Sequence, residues 1–539
     1  MKITKTNYNI LADCRGELDE DIIETILQNR GIKDIDHFLN PQESDLLPLT
    51  DLKNIDRAGE IVLDGIKNNS KFGIYWDTDL DGVTSGTIMT RYLKNFTDNI
   101  STYINNGKEH GLIGQNIEKI NGVDILIIVD SLDKDTSQYE KLYNEGVQII
   151  ILDHHAIEQD INYDKYATLV SSQREYANPN LSGAGVAWKF CKYLDSVTEN
   201  SYADELADLA ACGILADVCD VSEDAKENRY IVYKGLNNLK NPAIKKIIGS
   251  YEFNSKAVLF SIAPLVNASC RIGKNEFAMN LFLADDNKEV LKYKKVLTEC
   301  KEIQDTETEK ILPIVKKQFE SQKDANVLYA IIDSEYGISG LIGNKCLEEY
   351  NKPMFILKDN NDKYTGSMRS VGYGNFRTLC NETGLAELHG HEEASGIEIE
   401  KDKFELFINI INEKLSHIEQ TTSQEKDVDA LIDLGDLNRK LVDDVKKINF
   451  ISGEGFKPLT FAVTDINEYE ISSFKDGKHL VINPNDYTQL IEWNTKADYD
   501  ELEDDALMNE PIEVIGELDS GWFIKKFMLK VIISDLKVG

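Results

Sequence analysis

Residues 72–82, FGIYWDTDLDG, contain both the predicted central strand of the fold and the first part of its chemistry. FGIYW is a short apolar run, and a run of this length between polar residues is typical of a buried strand. Three aspartates follow directly after it: Asp77, Asp79 and Asp81. The stretch therefore predicts a buried strand whose carboxyl end carries a cluster of carboxylates.

Two more apolar runs repeat this layout further along the chain. ILIIV occupies residues 125–129 and VQIIIL occupies residues 147–152. Helical patterns lie between the runs, at 83–96 and 136–145. Strands that alternate with helices in this way predict an α/β fold with a parallel, doubly wound sheet.

Metal-ligand side chains stand at the ends of these two strands as well. The second run ends in Asp130 and the third in Asp153, His154 and His155. The carboxyl ends of parallel strands meet at one edge of a sheet, where open α/β folds bind their ligands. Residues two apart on an extended strand share a face, so we expect the three aspartates after the first strand to point together. The adjacent histidines are expected to point apart, one towards a metal and the other towards substrate.

This many carboxylates can all ionise at close quarters only if cations neutralise them. Carboxylate and imidazole ligands favour Mn²⁺ or Mg²⁺ over a thiolate-type zinc site. Two such ions can activate a water and stabilise the leaving oxygen in phosphoester hydrolysis. A single DxD stretch is most often a surface turn, but three strand ends with ligand-type residues disfavour that interpretation. An EF-hand is excluded, because position 88 is Ile where the bidentate Glu is needed.

The 539 residues are too many for a single hydrophobic core, so we predict several domains. Residues 287–322 form a charged helical pattern, and from about residue 455 short strand patterns predict a small β-barrel. The predicted parts are N-terminal helices with a catalytic domain (1–285), a connecting helix (286–322), a second α/β domain (323–425), and a linker with a barrel (426–539). Trp493 and Trp522 are expected in the barrel core, with base stacking as the alternative.

The composition limits the setting of the protein. A net charge of −35 argues against non-specific nucleic-acid binding, unless a local basic groove exists on the acidic surface. The eight cysteines contain no CxxC pair and do not resemble a disulfide framework, which predicts reduced thiols and a cytoplasmic location. No apolar run is long enough to span a membrane, and the N-terminus lacks an apolar signal core.

These motifs resemble those of the DHH phosphoesterase superfamily, and most closely those of its RecJ-like single-strand exonucleases. WDTDLDGVTSG (76–86), VD (129–130) and LDHH (152–155) resemble the first three motifs of the family, and ACGILADVCDV (211–221) resembles the fourth. The resemblance implies a DHH domain, a DHHA1-type second domain and an oligonucleotide-binding barrel. It also adds Asp217 to the metal ligands, which are then Asp77, Asp79, Asp81, Asp130, His154 and Asp217.

The resemblance also implies a set of substrate contacts. APLVNASCRIG (263–273), GSMRSVGYGNF (366–376) and HGHEEASG (389–396) resemble the substrate-binding segments of RecJ-like enzymes. None of their departures from the usual family pattern removes a metal ligand. The implied contacts are Asn267, Arg271, Ser367, Arg369, Ser370, Gly390 and His391. His110, in a polar loop, is a weaker candidate.

The implied activity is 5′→3′ hydrolysis of single-stranded DNA to mononucleotides with two Mn²⁺ or Mg²⁺ ions, in repair, recombination or degradation. His155 would contact the scissile phosphate and Asp153 would orient the neighbouring imidazole. A single-strand-binding protein is an expected partner. Two alternatives stay open: the same chemistry on short RNA or cyclic dinucleotides, and a binding factor without catalysis.

Overall fold

The computed structural model describes most of the chain. The described residues are 7–16, 21–105, 111–115, 117–120, 122–158, 160–418, 420, 425–474, 479–493, 511–523 and 526–538. His110 lies outside them, as does the acidic stretch 499–505, which the sequence predicts to be a loop.

The predicted parallel sheet is present at the centre of the first domain. Its described strands all run parallel, and they follow one another across the sheet as Ile100–Ile104, Phe72–Trp76, Ile125–Val129, Gln148–Asp153 and Thr168–Ser171. The three central strands agree with the predicted runs to within a residue. The two outer strands were not predicted, because ISTYI and TLVS lack a long apolar run.

Helices cover both faces of this sheet and extend the domain beyond it. The first helix after the central strand begins at Leu80, three residues earlier than predicted, because the Asp79 side chain accepts a hydrogen bond from Gly82 N and so caps it. The helices of the domain are Ile55–Lys67, Leu80–Leu93, Ser137–Asn144, Gly183–Thr198, Ala207–Ala216, Lys226–Leu236, Pro242–Ile248, Ser255–Ala257, Ala263–Arg271 and Asn275–Leu283.

A long helix connects the two α/β domains, as predicted. It runs from Asn287 to Glu320 and includes Pro313. Asp286 caps its start by accepting hydrogen bonds from Lys288 N and Glu289 N. Residues at its far end, among them Val315 and Phe319, are buried against the second domain.

The second domain is a mixed sheet with helices packed against it. In the described residues the strand order is Ala386–Gly390, Ala394–Glu400, Lys363–Arg369, Met354–Asn360 and Leu328–Ile332. The last two strands are parallel and the other pairs are antiparallel. The helices are Ser339–Tyr350, Phe376–Asn381 and Lys401–Leu415.

The C-terminal unit is rich in strands, as predicted. Its sheet order among the described residues is Ala430–Asp433, Phe461–Ile466, Ile512–Phe523, Lys526–Val538, Thr488–Trp493, His479–Asn485 and Glu470–Phe474. The helix Arg439–Ile448 packs on this sheet. The order has two ends in the described part of the chain, so a closed barrel stays a prediction.

The start of the chain packs with its end, which the sequence did not indicate. The strand Asn7–Ile10 pairs in parallel with Glu425–Val428. The helices Asp21–Asn29 and Ile35–Leu39 contribute Ile26, Leu27 and Phe38 to the hydrophobic core of the C-terminal unit. The predicted domain limits stay a prediction, but the first N-terminal helices pack against the C-terminal sheet instead of the catalytic one. Within the described ranges, no helix is apolar over enough residues to cross a membrane.

Candidate metal centre

The three aspartates after the central strand occupy three different structural positions: the end of the strand, the N-cap of the next helix and the first turn of that helix. Asp77 directly follows the strand, Asp79 caps the next helix, and Asp81 lies in the first turn of that helix. The expectation that they share one face of an extended strand is therefore wrong, because the chain leaves the strand at Asp77. Asp77 and Asp81 are buried, whereas Asp79 is exposed.

Asp81 is held by the start of a second helix. Its carboxylate accepts hydrogen bonds from Gly183 N at 2.7 Å and from Ala184 N at 2.9 Å. From the sequence alone, the small residues Gly183, Ala184 and Gly185 at a helix start could either hold a phosphate or allow close packing. The structure favours close packing, because Asp81 occupies the two N–H groups, and a Cβ on Gly183 would lie 2.6 Å from Asp130 Oδ1.

A glycine in the fourth motif allows the helix of that motif to pack closely against the acidic cluster. Gly213, on the helix Ala207–Ala216, lies against the helix that carries Asp81, where a Cβ on it would lie 2.2 Å from Asp81 Oδ1. Asp217 follows this helix directly. Gly183 and Gly213 are therefore needed for the site. The sequence shows Gly213 only as a small residue within the fourth motif, and Gly183 only as a small residue at a helix start.

His154 lies at the centre of the acidic cluster. Its Nε2 atom is 3.1 Å from Asp130 Oδ1, 3.6 Å from Asp217 Oδ2 and 3.8 Å from Asp81 Oδ2. Ligand atoms of two groups come within 4.8 Å of one another: Asp81, His154 and Asp217 form one group, and Asp130, His154 and His155 form the other. The two groups share His154.

This cluster fits divalent metal ions. Its donors are carboxylate oxygens and imidazole nitrogens, the set that Mn²⁺ and Mg²⁺ accept. Asp130 Oδ1 is buried and has no hydrogen-bond donor among the described residues, although the His154 ring approaches it. Burial raises the pKa of Asp130 well above its ordinary value, and the carboxylates of Asp81, Asp79, Asp77 and Asp217 raise it further. A cation would remove this repulsion.

His155 and Asp153 form a pair beside the cluster. His155 Nδ1 is 2.8 Å from Asp153 Oδ1, and His155 N donates to Asp153 Oδ2 at 2.8 Å. Burial alone would lower the pKa of His155, but the charge and hydrogen bond of Asp153 outweigh it and raise the pKa to about 10. The ring centroids of His154 and His155 are 4.7 Å apart, so the expectation that the two histidines point apart is wrong. Asp153 is the last residue of its strand, and the alternation of faces ends there.

Two predicted arginines form a second, cationic site at the junction with the second domain. Burial lowers the pKa of Arg369, and the nearby charge of Arg271 lowers it further. Arg271 Nη1 donates to Gln304 Oε1 at 2.9 Å, and Arg369 donates to Asn344 and to the Met368 carbonyl. Among the described residues neither arginine forms an ion pair.

The guanidinium of Arg369 lies against the first turn of the helix Ser339–Tyr350, where Gly340 leaves room for it. A Cβ on Gly340 would lie 2.5 Å from Arg369 Nη2, so a larger residue there would displace the guanidinium. Ser367 Oγ lies 2.8 Å from Ser339 Oγ, at the start of the same helix. The Arg271 carbonyl accepts a hydrogen bond from Gly337 N at 3.1 Å, which ties the two domains together beside this site.

The remaining predicted contacts lie on neighbouring strands. Arg369 is paired with Ala394, and Ser370 N donates to the Glu393 carbonyl at 2.8 Å. This places the turn with Gly390 and His391 beside the strand that ends at Arg369. His391 is exposed, and the buried Ser370 hydroxyl has no hydrogen-bond partner in the described part of the chain. Asn267 lies one helical turn before Arg271 on the same helix.

An exposed aromatic residue that the sequence did not single out lies on this helix. Phe260 is 74% exposed, and it belongs to a π-helical segment, Val258–Ile262, that continues directly into Ala263–Arg271. Phe260, Asn267 and Arg271 follow helical spacing along one face that is not buried. The exposed position of Phe260 could not be read from the sequence, because phenylalanines are usually core residues.

The same helix extends from the C-terminal unit to the second domain. At one end Lys256 Nζ is 3.1 Å from Glu517 Oε2, and at the other Arg271 meets Gly337. Between them Cys270 Sγ lies 3.2 Å from Thr78 Oγ1, next to the metal cluster. The end of this helix that carries Arg271 therefore lies beside the metal centre.

The tryptophans of the C-terminal unit are not core residues. Trp522 is 74% exposed and Trp493 is 46% exposed, so the expectation of core packing is wrong for both. Trp522 makes an edge-on contact with Phe527. The long hairpin Ile512–Phe523 and Lys526–Val538 carries Trp522 to the end of a strand, beyond the sheet core.

The fold and the site together define a phosphoesterase of the DHH class. The model of the DHH family, N-terminal domain, matches residues 71–214. The chain is 32% identical over 454 residues to the putative SPbeta prophage-derived single-strand DNA-specific exonuclease YorK of Bacillus subtilis, covering 76% of this chain and 77% of that one. The chain therefore belongs to the DHH family, and within it to the RecJ-like proteins. The resemblance that the motifs indicated is thereby confirmed.

Other relatives agree with this assignment. The single-stranded-DNA-specific exonuclease RecJ of Bacillus subtilis is 25% identical over 558 residues, covering 96% of this chain and 68% of that protein. The crystal structure of RecJ from Thermus thermophilus in complex with Mn²⁺ matches 98% of this chain and 79% of its own, with a TM-score of 0.76 at 22% identity. A second structure of that protein contains Mg²⁺. At this identity the structural likeness concerns the fold, and it confirms the predicted α/β architecture.

Metal binding should reverse the pH dependence of stability. Folding raises the pKa of Asp81, Asp130 and Asp217, with burial as the main cause. The metal-free protein should therefore lose stability as the pH rises from about 4, the ordinary carboxyl value, through the raised values. Mn²⁺ at 100 times its Kd should add about 2.7 kcal/mol at pH 7.5, and progressively less towards pH 4. Thermal unfolding in EDTA and in Mn²⁺ measures both effects.

The variant Asp130→Asn separates metal binding from general stabilisation. Because it removes a repelled charge, it should raise the Tm of the metal-free protein at pH 7.5 and reduce the Tm shift on adding Mn²⁺. A Mn²⁺-induced shift of the parental size in Asp130→Asn would contradict the role of this carboxylate as a ligand.

Proposed function

We propose that this protein is a metal-dependent exonuclease that hydrolyses single-stranded DNA from its 5′ end and releases mononucleotides. The observation that carries the proposal is the pairing of an acidic cluster suited to divalent ions with a site of two arginines that have no described acidic partner. Such an arrangement can hold a terminal phosphate and cut the next phosphodiester. The names of the relatives, single-strand-DNA-specific exonucleases, support the choice of substrate.

The residues of the cluster divide the catalytic work. When bound, Mn²⁺ or Mg²⁺ ions supply the activation of a water and the stabilisation of the leaving oxygen. Asp77, Asp79, Asp81, Asp130, His154 and Asp217 hold the ions. In the metal-free protein the charge and hydrogen bond of Asp153 raise the pKa of His155 to about 10, which favours the protonated ring. His155 contacts the scissile phosphate and stabilises the charge that grows there, while Asp153 fixes the orientation of its ring.

The two arginines hold the terminal 5′-phosphate. Arg271 and Arg369 offer charge-assisted hydrogen bonds. Ser367, on the strand of Arg369, and Ser370, directly after that strand, add hydroxyl donors. Asn267 and the turn of Gly390 and His391 contact the neighbouring backbone. An anchor at one end of the strand explains how a sequence-independent enzyme can have a cutting polarity, since the first phosphodiester lies a fixed distance from the anchor.

The exposed face of the helix next to Arg271 guides the strand. Phe260 presents a ring on which an unpaired base can stack, and every base has a face for such stacking. A base in a duplex is already stacked and paired, so a stacking platform on the path of the strand favours single strands. A cytoplasmic location and a protein partner, such as a single-strand-binding protein, stay predictions.

Digestion of end-labelled DNA tests the proposal directly. With Mn²⁺, single strands labelled at the 5′ end should release labelled mononucleotide from the start, whereas 3′-labelled strands should shorten gradually. Duplex DNA should stay intact, as should single strands in EDTA. Asp130→Asn should lower kcat at least about 100-fold, which corresponds to about 2.8 kcal/mol of activation free energy at about 1.4 kcal/mol for each tenfold. Preferential turnover of a dinucleotide or short RNA would favour the first alternative, and no turnover with bound Mn²⁺ would favour a binding factor.

Arg369→Gln tests the phosphate anchor. A lost charge-assisted hydrogen bond of about 1.5–3 kcal/mol should raise KM for a 5′-phosphorylated strand by roughly 10- to 150-fold. A strand with a 5′-hydroxyl should be affected much less. Lys401→Gln removes the same charge from the same domain and is the control, because Lys401 is already paired with Asp359. Equal losses on both strands would count against an anchor for the terminal phosphate.

Phe260→Ala tests the stacking platform. Phe260 and Arg271 are separated by about 16 Å along the helix at 1.5 Å per residue, which a dinucleotide cannot span. Longer strands should therefore bind about 1–3 kcal/mol more weakly, with kcat unchanged, while a dinucleotide should be cut at the parental rate. Tyr143→Ala is the control, because Tyr143 is 53% exposed on a helix outside this path. Parental KM for long strands would remove Phe260 from the path.

A further inference from the structure

The loop that carries Asp217 is strained and depends on its surroundings. Asp217 ends a helix, and Val218 after it has φ +56 while its side chain is 61% exposed. A β-branched residue in this left-handed conformation costs about 1–3 kcal/mol and persists only where neighbouring contacts impose it. The exposed Val218 side chain supplies little of that support. The end of the helix supplies part of the support, since Val218 N donates to the Leu215 carbonyl at 3.4 Å and Cys219 N to the Ile214 carbonyl at 3.1 Å. Further contacts hold the residues that follow.

Those contacts come from the C-terminal unit. Val221 N donates to the Glu454 carbonyl at 3.0 Å, and Asp220 forms a parallel β-bridge with Glu454. We call residues 453–456 the clasp turn. Gly453 N donates to the Phe456 carbonyl at 2.8 Å across this turn.

Gly455 allows the clasp turn to approach the loop. Its φ is +72, and a Cβ on it would lie 2.0 Å from Asp220 Oδ1 and 2.9 Å from Ser222 Cβ. Asp220 Oδ1 in turn accepts a hydrogen bond from Ser222 N at 2.8 Å, which shapes the loop from within. Any other residue at 455 would push the clasp turn and the loop apart.

A buried arginine holds the loop from its other side. Arg229 is only 3% exposed and donates to the carbonyls of Val221 at 2.9 Å and Phe38 at 2.7 Å. Its guanidinium carbon is 3.4 Å from the centre of the Phe38 ring and 5.6 Å from that of Phe456. Phe38 and Phe456 belong to the core of the C-terminal unit, so Arg229 connects the loop to that core.

From these contacts we infer that the clasp turn is a positioning element for the metal centre. Docking of the C-terminal unit sets the place of Asp217 near His154 and Asp81, and thereby sets the affinity for the metal. Because coupling between two binding events is reciprocal, metal binding in turn strengthens the docking of the clasp turn. The inference rests on the proposed metal centre.

Gly455→Ala in the full-length protein tests this inference. Mn²⁺ binding, measured by calorimetry and by the electron paramagnetic resonance of free Mn²⁺, should weaken at least about tenfold, or 1.4 kcal/mol. Amide hydrogen exchange at residues 217–222 should accelerate. Activity should fall at low Mn²⁺ and return to near the parental kcat at saturating Mn²⁺, because the ligands themselves are intact.

Three further variants make the result specific. Gly384→Ala introduces the same methyl group at a positive φ of +64, with no atom within 4 Å, in the second domain. It should leave Mn²⁺ binding unchanged. Asp220→Ala combined with Gly455→Ala removes the atom that the new methyl group meets and should restore part of the affinity. If Gly455→Ala does not fold, Gly453→Ala replaces it in the test. Its methyl group would lie 3.3 Å from Val221 Cγ2 and should cause a smaller loss of Mn²⁺ affinity.

The outcomes separate this inference from the proposed function. If the parent protein binds no Mn²⁺, the proposed metal centre fails. If the parent binds Mn²⁺ and a folded Gly455→Ala binds it equally well, the role of the clasp turn is overturned. An equal loss of affinity in Gly384→Ala would also overturn it, since the effect would then be general destabilisation.

Discussion

Repulsion among buried carboxylates is the constraint on which this structure depends. Asp81 and Asp130 are each about 2% exposed, and they converge with Asp217 on a single histidine, His154. Burial and mutual repulsion both oppose their ionisation, and a divalent cation is the simplest partner that relieves both. Without metal, the acidic site therefore lowers the free energy of unfolding at neutral pH, and the rest of the fold must offset this. Metal binding restores the lost stability.

The surrounding structure supplies the support that this arrangement needs. Two glycines, Gly183 and Gly213, let helices approach the acidic side chains so closely that backbone N–H groups bind Asp81. The C-terminal unit supports the loop after Asp217 through Glu454 and Gly455. Parts of the chain more than two hundred residues away thus help to place one ligand, which ties the strand-rich unit to the chemistry.

The charge distribution resolves the conflict between an acidic chain and a nucleic-acid substrate. The net charge of −35 concerns the whole molecule, whereas Arg271 and Arg369 lie together at one junction and form no ion pair with any described residue. Local charge decides where a phosphate binds, because exposed charges farther away than a Debye length of about 8–10 Å are screened by salt. An acidic exterior also disfavours binding of DNA elsewhere on the surface.

The sequence by itself determined the three central strands and the residue types at their ends, because apolar periodicity and strand ends are local properties of the chain. It also indicated the second domain and the strand-rich C-terminus. Only the tertiary structure decided that Asp81 lies on a helix, that His154 and His155 are neighbours, and that Phe260 and Trp522 are exposed. It alone decided that the strand Asn7–Ile10 pairs with residues 425–428 and that Gly455 lies against Asp220, in the loop after Asp217. These features depend on contacts between residues far apart in the chain, and spacing along the sequence carries no record of which distant segments pack together.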